Sequence, residues 1–155
     1  MARGKAPSDP AELEKLEWPY AWPPPWRSDR LLGHDPAEET MLAASRSGRL
    51  HHAWLITGPR GIGKATLAWR FARFLLCGGQ QVGLFGDGPD GLEVAADAPG
   101  RSLIDARSHP DLFHLRRTLN PETGRMRSEI AVDDVRGLGE FMHMTPAMGA
   151  ARVAI

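Results

Sequence analysis

One cysteine, Cys77, stands in 155 residues. That excludes an internal disulfide framework and any multi-cysteine metal site, and it fits a reducing compartment, so a cytoplasmic protein is expected. No apolar run approaches the roughly 20 residues of a membrane-spanning helix, and no membrane contact is expected. The opening Met1-Ala2-Arg3-Gly4-Lys5 leads into no apolar stretch, so no signal peptide is read there. Net charge is missing too: Lys and Arg number 19, Asp and Glu 19. A chain whose whole surface clamps nucleic acid or an anionic membrane is excluded by that balance, but a local basic patch is not. Glycine and proline, by contrast, are plentiful, 17 and 13. They call for long loops or tails around a single domain of ordinary composition.

The order of the chain gives that domain an outline. Residues 1–30 read as a flexible Trp/Pro-rich extension, because Pro23-Pro24-Pro25 favours an extended backbone that cannot join a helix. Its tryptophans either pack on the domain edge or dock a partner. From Leu31 the pattern becomes ordered. Asp35 is expected to cap a helix with Pro36 at its first position and Glu38 closing an Asp-x-x-Glu box. Ala53-Trp54-Leu55-Ile56-Thr57 reads as a buried strand. Residues 65–77 read as an amphipathic helix, with Leu67, Phe71, Phe74 and Leu75 at helical spacing and Gly78-Gly79 stopping it. Residues 78–108, rich in glycine and aspartate, read as a surface insertion. Asp111-Leu112-Phe113-His114-Leu115 is expected as a second strand. Asp133 then caps a helix carrying Val135, Leu138 and Met142 on one face. Ala151-Arg152-Val153-Ala154-Ile155 opens a third strand. The strand pattern runs up to Ile155, so residues 31–155 are expected to be the N-terminal part of a longer α/β domain, a parallel sheet with flanking helices.

One motif carries a mechanism. Gly58-Pro59-Arg60-Gly61-Ile62-Gly63-Lys64-Ala65-Thr66 fits G-x-x-x-x-G-K and departs from the phosphate-loop pattern at its last position. Glycines let the loop turn its N–H groups inward as a nest for phosphate oxygens, and the following helix adds its positive end. Lys64 is placed to reach the outer phosphates. The flanks, strand before and helix after, are the confirming context. Ala65, however, stands where a Ser or Thr hydroxyl would hold Mg²⁺. Thr66 is one residue later, about 100° further round the helix, and points elsewhere. ATP binding therefore stays open while ATP hydrolysis is not expected.

Several segments, in order and at compatible spacing, resemble one family. They are Leu32-Gly33-His34, Gly48-Arg49-Leu50-His51-His52-Ala53-Trp54-Leu55, the phosphate loop, His109-Pro110-Asp111-Leu112, Val132-Asp133-Asp134-Val135-Arg136 and Arg152-Val153-Ala154-Ile155. Together they resemble the delta-prime family of bacterial DNA polymerase III clamp-loader subunits, from about Leu31 to Ile155 without most of 79–107. The resemblance implies an AAA+ P-loop module in a pentameric machine that places the sliding clamp on primed DNA. It implies delta and gamma/tau subunits as partners and a stator role, with an arginine from a Ser-Arg-Cys motif beyond Ile155 offered to a neighbour's ATP site. By position Leu32, Gly33 and His34 match the segment near the adenine in nucleotide-binding relatives. The alternative is an active ATPase such as the gamma/tau subunit, against which Ala65 counts. These subunits often carry a four-cysteine zinc module where only Cys77 remains here, so no zinc is expected.

The remaining candidates have plainer readings. Adjacent His51 and His52 face opposite sides of a strand, one at the core edge and one solvated. His109, His114 and His143 lack a ligand cluster. Cys77 reads as a buried small hydrophobe. Arg116, Arg117, Arg125 and Arg127 form a small basic patch, either solvated surface or a contact for a partner or DNA. Met142, Met144 and Met148 read as apolar filler near an edge.

Overall fold

A computed structural model describes residues 9–78, 90–120, 123–149 and 151–155. The element order is α1 (Pro10–Glu17), α2 (Asp35–Arg46), α3 (Lys64–Leu76), α4 (Arg101–Asp105), β1 (Leu112–Phe113), α5 (Val132–His143) and β2 (Val153–Ala154). The strands β1 and β2 pair in parallel, Leu112 against Val153 and Phe113 against Ala154. A parallel pair needs a long crossover, and α5 supplies it. The arrangement, helices around a small parallel sheet, is compatible with an AAA+ fold.

The axis of the molecule is α3. One side of it, Leu67, Phe71 and Phe74, packs with Met41 and Leu42 of α2 and with Leu92. The other side, Trp69 and Leu76, packs with Trp26, Ile104 and Leu112. A helix that buries both flanks cannot leave its polar residues in water. Arg70 and Arg73 are accordingly buried, at 7% and 2% exposure. They are neutralised in place: Arg70 holds Glu38 and Glu93, each at 2.8 Å, and Arg73 holds Asp29 at 2.9 Å. Burying unpaired guanidinium groups would be prohibitive, so these carboxylates are a condition of the helix packing where it does.

Several expectations need correction. The Trp/Pro segment, within its described part, contains α1 and places Trp26 at 4% exposure in the second core. A flat indole offers more apolar area than any other side chain, and here it finds a bed against Trp69, His114 and the Arg107 guanidinium. The stretch 78–108 is not all surface insertion. Its residues 79–89 lie outside the described residues, but Leu92 and Ile104 are at 1% and 0% exposure. α2 begins at Asp35, with His34 rather than Asp35 at the cap position, and Glu38 turns away from a capping box to meet Arg70. At α5 the carboxylate facing back over the first turn is Asp134, which accepts from the Ala131 N–H at 3.3 Å, while Asp133 pairs with Arg136. Phe141 is the buried residue of α5, and Val135 and Met142 are exposed.

The largest departure is 53–57. It keeps the alternation of a strand, with Trp54 and Ile56 packed on the first core and Leu55 90% exposed. Yet it is not a strand, because its main chain makes no hydrogen bond to a described residue. Between it and β2 runs a groove of about 760 Å3, lined on one side by Ala53, Trp54 and Ile56 and on the other by Val153, Ala154 and Ile155. A strand exists only with a neighbour, and here the neighbouring position is open. His51 and His52 at its start are both exposed, so neither belongs to the core edge.

Candidate functional site

The loop 58–63 leads directly into α3. Three glycines make its turns at positive φ: Gly58 at 141°, Gly61 at 85° and Gly63 at 100°. A side chain at two of them would also collide. A Cβ on Gly58 would sit 2.8 Å from the Ile62 Cδ1, and one on Gly63 would sit 2.6 Å from the Leu31 Cδ1. Glycine is therefore demanded by backbone conformation and by space together. Gly63 holds the cap position of α3 in the left-handed conformation, with no side chain covering the first turn. The first intrahelical bond is from the Leu67 N–H to the Gly63 carbonyl at 2.9 Å. The N–H groups of residues 61–66 make no hydrogen bond to any described residue. This is a concave set of unsatisfied donors at the positive end of a 13-residue helix, which is what an anion requires.

Lys64 reaches back across its own loop. Its ammonium donates to the Gly58 carbonyl at 2.8 Å and to the Pro59 carbonyl at 2.6 Å. Two of its three protons thus hold the loop closed, and one remains for a ligand. Ala65 is exposed and brings no oxygen, and Thr66 is half-buried with its hydroxyl unbonded. Arg60 and Ile62 lie at the exposed tip.

The segment Leu32, Gly33 and His34 is brought to this loop by a contact that the sequence pattern does not announce. The His34 Nε2 meets the Ile62 carbonyl at 2.6 Å, so the imidazole carries its proton on Nε2 and donates. Gly33, at φ 74°, turns the chain so that this reach is made. Leu32 is 79% exposed beside it, an apolar side chain with no described partner on the loop side. Leu31, which sequence reasoning passed over as part of a generic opening, is the residue that packs against Gly63. Its only sequence signal is its place two residues before the glycine.

Away from the loop, the His-Pro-Asp step has a structural duty. Asp111 is at 0% exposure. Its carboxylate accepts from the N–H groups of Ala147 at 2.7 Å, Met148 at 2.8 Å and Gly149 at 3.3 Å. Burial works against its charge, but these three donors and Arg152 outweigh it and hold the carboxyl below its ordinary range. His109 turns its Nδ1 to the Asp111 N–H at 3.1 Å, and burial lowers its basicity. Cys77 is half-buried and burial pushes its thiol up, away from nucleophile or ligand chemistry. Among the described residues no three His, Cys, Asp or Glu side chains cluster as metal ligands.

Comparison with known proteins adds to this geometry. A family model described as DNA polymerase III, delta subunit, matches residues 33–155. The DNA polymerase III subunit delta' of Escherichia coli K12 is 34% identical over 118 residues, 76% of this chain and 31% of that protein. The subunit delta' of Pseudomonas aeruginosa is 34% identical over 104 residues, 67% of this chain and 27% of the relative. A subunit gamma/tau of Mycobacterium tuberculosis is 34% identical over 83 residues, covering 51% of this chain and 14% of that protein. The chain therefore spans less than a third of the length of these relatives. No solved structure matches it significantly. The matched stretch takes in the phosphate loop, the His-Pro-Asp step and β2 together, and over it the chain belongs to the DNA polymerase III delta-subunit family, sorting there with the delta' proteins.

Proposed function

We propose that the chain acts in DNA replication as the phosphate-loop portion of a delta-prime stator in the clamp loader. It assembles there with delta and gamma/tau subunits in the cytoplasm and serves the loading of the sliding clamp onto primed DNA. The observation that carries the reading is a well-formed loop with Ala65 in it. The glycines, the open N–H groups and Lys64 are all in place, while the hydroxyl that would hold Mg²⁺ is missing. Such a loop suits a subunit that keeps its shape in an assembly and leaves hydrolysis to neighbours. Gly58, Gly61, Gly63 and Lys64 would hold the phosphates of ATP, and Leu32 and His34 would lie toward the base. Bound there, the nucleotide acts as a structural ligand.

The test is a pair of measurements on the full-length protein. Labelled ATP is titrated with and without Mg²⁺, and steady-state hydrolysis is followed alone and in complex with delta and gamma/tau. Binding that is insensitive to Mg²⁺, with no turnover above background, is expected. Introducing Ala65→Ser should make binding Mg²⁺-dependent. Turnover by the unaltered protein alone would favour instead an active ATPase of the gamma/tau kind, a reading to which the partial gamma/tau similarity gives some support.

A further inference from the structure

We infer that the arginine hairpin between β1 and α5 is a direct contact for the phosphodiester backbone of DNA. After β1 the chain folds back on itself. The Arg127 N–H donates to the Thr118 carbonyl at 3.0 Å, the Asn120 N–H to the Arg125 carbonyl at 2.8 Å, and Leu119 bridges Met126 in antiparallel sense. That pairing puts Arg125 and Arg127 on one face of their strand, with Met126 on the other. Both arginines line a concavity of about 550 Å3 whose far wall is the start of α5.

Their electrostatic state separates them from the rest of the chain. Nine other arginines hold a carboxylate within the ion-pair distance. The guanidinium groups of Arg125, Arg127 and the nearby exposed Arg117 hold none among the described residues. In a chain of zero net charge, this leaves a local excess of positive charge in one concave place. A guanidinium presents a planar fork of donors that fits two oxygens of one phosphate. Two of them on one face of a strand are about 6.8 Å apart. That is comparable to the step between successive phosphates along a nucleic-acid strand. The hydroxyls of Thr123 and Ser128 line the same concavity and supply further donors, and Glu129 is the one carboxylate on its wall among the described residues. Repeated, equally spaced forks suit a polymer of identical phosphates better than the irregular carboxylates of a protein surface. The choice of DNA as the polymer rests on the replication role proposed above.

The experiment uses the full-length protein, alone and assembled with delta and gamma/tau, and reads fluorescence anisotropy of a labelled primed-template oligonucleotide between low and moderate salt. The double variant Arg125→Ala, Arg127→Ala should bind more weakly. It should also lose about two units from the slope of log affinity against log salt, roughly one per phosphate released. Arg125→Lys, Arg127→Lys should keep most of the slope, and Glu129→Gln should bind more tightly than the parent. Because the two arginines hold no carboxylate, the variants should melt with the parent, which checks that folding is intact. An unchanged slope in the alanine variant overturns the inference, as does failure of the parent protein to bind the oligonucleotide in either form. Loss of delta or gamma/tau co-purification with DNA affinity unchanged also overturns it and assigns the hairpin to a protein partner. Failure of the parent to co-assemble would instead count against the clamp-loader role, and the salt slope on the free protein would still decide the hairpin.

Discussion

Single side chains decide most of what this loop can do. Ala65 differs from serine by one oxygen, and that oxygen is the metal's ligand in an active phosphate loop. Lys64, by contrast, is committed to two loop carbonyls, so its charge serves the loop's shape before any ligand arrives. Another residue whose state is set by its surroundings is His114. It lies between the indoles of Trp26 and Trp69, at centroid distances of 6.3 and 5.0 Å. Burial pushes its pKa down to about 4, with Arg107 and Arg116 adding to the fall and Glu17 opposing it. The unfolded chain binds that proton near the ordinary value of 6.5, so below that pH the unfolded state takes up more protons than the folded one. The stabilisation is complete above pH 6.5 and is lost as the pH falls toward 4. The denaturation midpoint should therefore drop between pH 6.5 and 5, before most carboxylates titrate. His114→Phe should flatten that drop, leaving a remainder from His109, whose basicity burial also lowers. A midpoint that falls equally steeply in the variant would show that His114 does not titrate in this environment.

Helices and strands were legible where their cause is local. The glycine stop after α3, the proline opening of α2 and the apolar spacing of Leu67, Phe71 and Phe74 all act within a few residues, and each element appears where they put it. What was illegible depends on partners far away in sequence. Nothing near Arg70 shows that its carboxylates come from 32 residues before and 23 after it, yet that pairing is what removes Glu38 from its expected cap. The same holds for Asp111. The His-Pro-Asp step reads as a turn and a family mark, while its carboxylate organises the stretch 147–149, 36 to 38 residues downstream. That stretch joins α5 to β2, so Asp111 fixes how the crossover returns to the sheet. Asp111→Asn keeps the shape but sets an amide, half of it a donor, against three backbone N–H groups and leaves Arg152 without its charge. It should destabilise by about 2–4 kcal/mol in chemical denaturation. The exposed Met148 should also become more susceptible to oxidation as its segment loosens. A loss below roughly 1 kcal/mol would mean that the segment is held by something else.

The architecture as a whole was legible in its class and not in its pairing. Three strand-like runs were visible, and two of them, at Leu112–Phe113 and Val153–Ala154, do pair in parallel across a helix. The remaining run, Ala53 to Thr57, carries the right alternation, but alternation speaks only of side chains, and a strand is defined by its backbone bonds. The groove beside it is flanked by five residues on one side, Ala53 to Thr57, and five on the other, Ala151 to Ile155, a length of roughly 17 Å at 3.3–3.4 Å per residue. The N–H and C=O of Ala154 that are not used toward β1 complete its far wall. Such a slot asks for one extended apolar segment hydrogen-bonded on both edges, and the relatives, more than three times as long as their matched stretch, have chain enough to provide one. Amide hydrogen exchange reads this directly. In the 155-residue chain the amides of 54–57 should exchange at nearly the rate of an unstructured peptide, while those of Leu67 to Leu76 in α3 are protected. In a full-length protein the same four amides should slow by about 100-fold or more, as for groups that open only with the core. Protection of 54–57 already present in the 155-residue chain would mean that the slot is filled from within, and the loop at Gly58 would then hang from a complete strand rather than from an open edge.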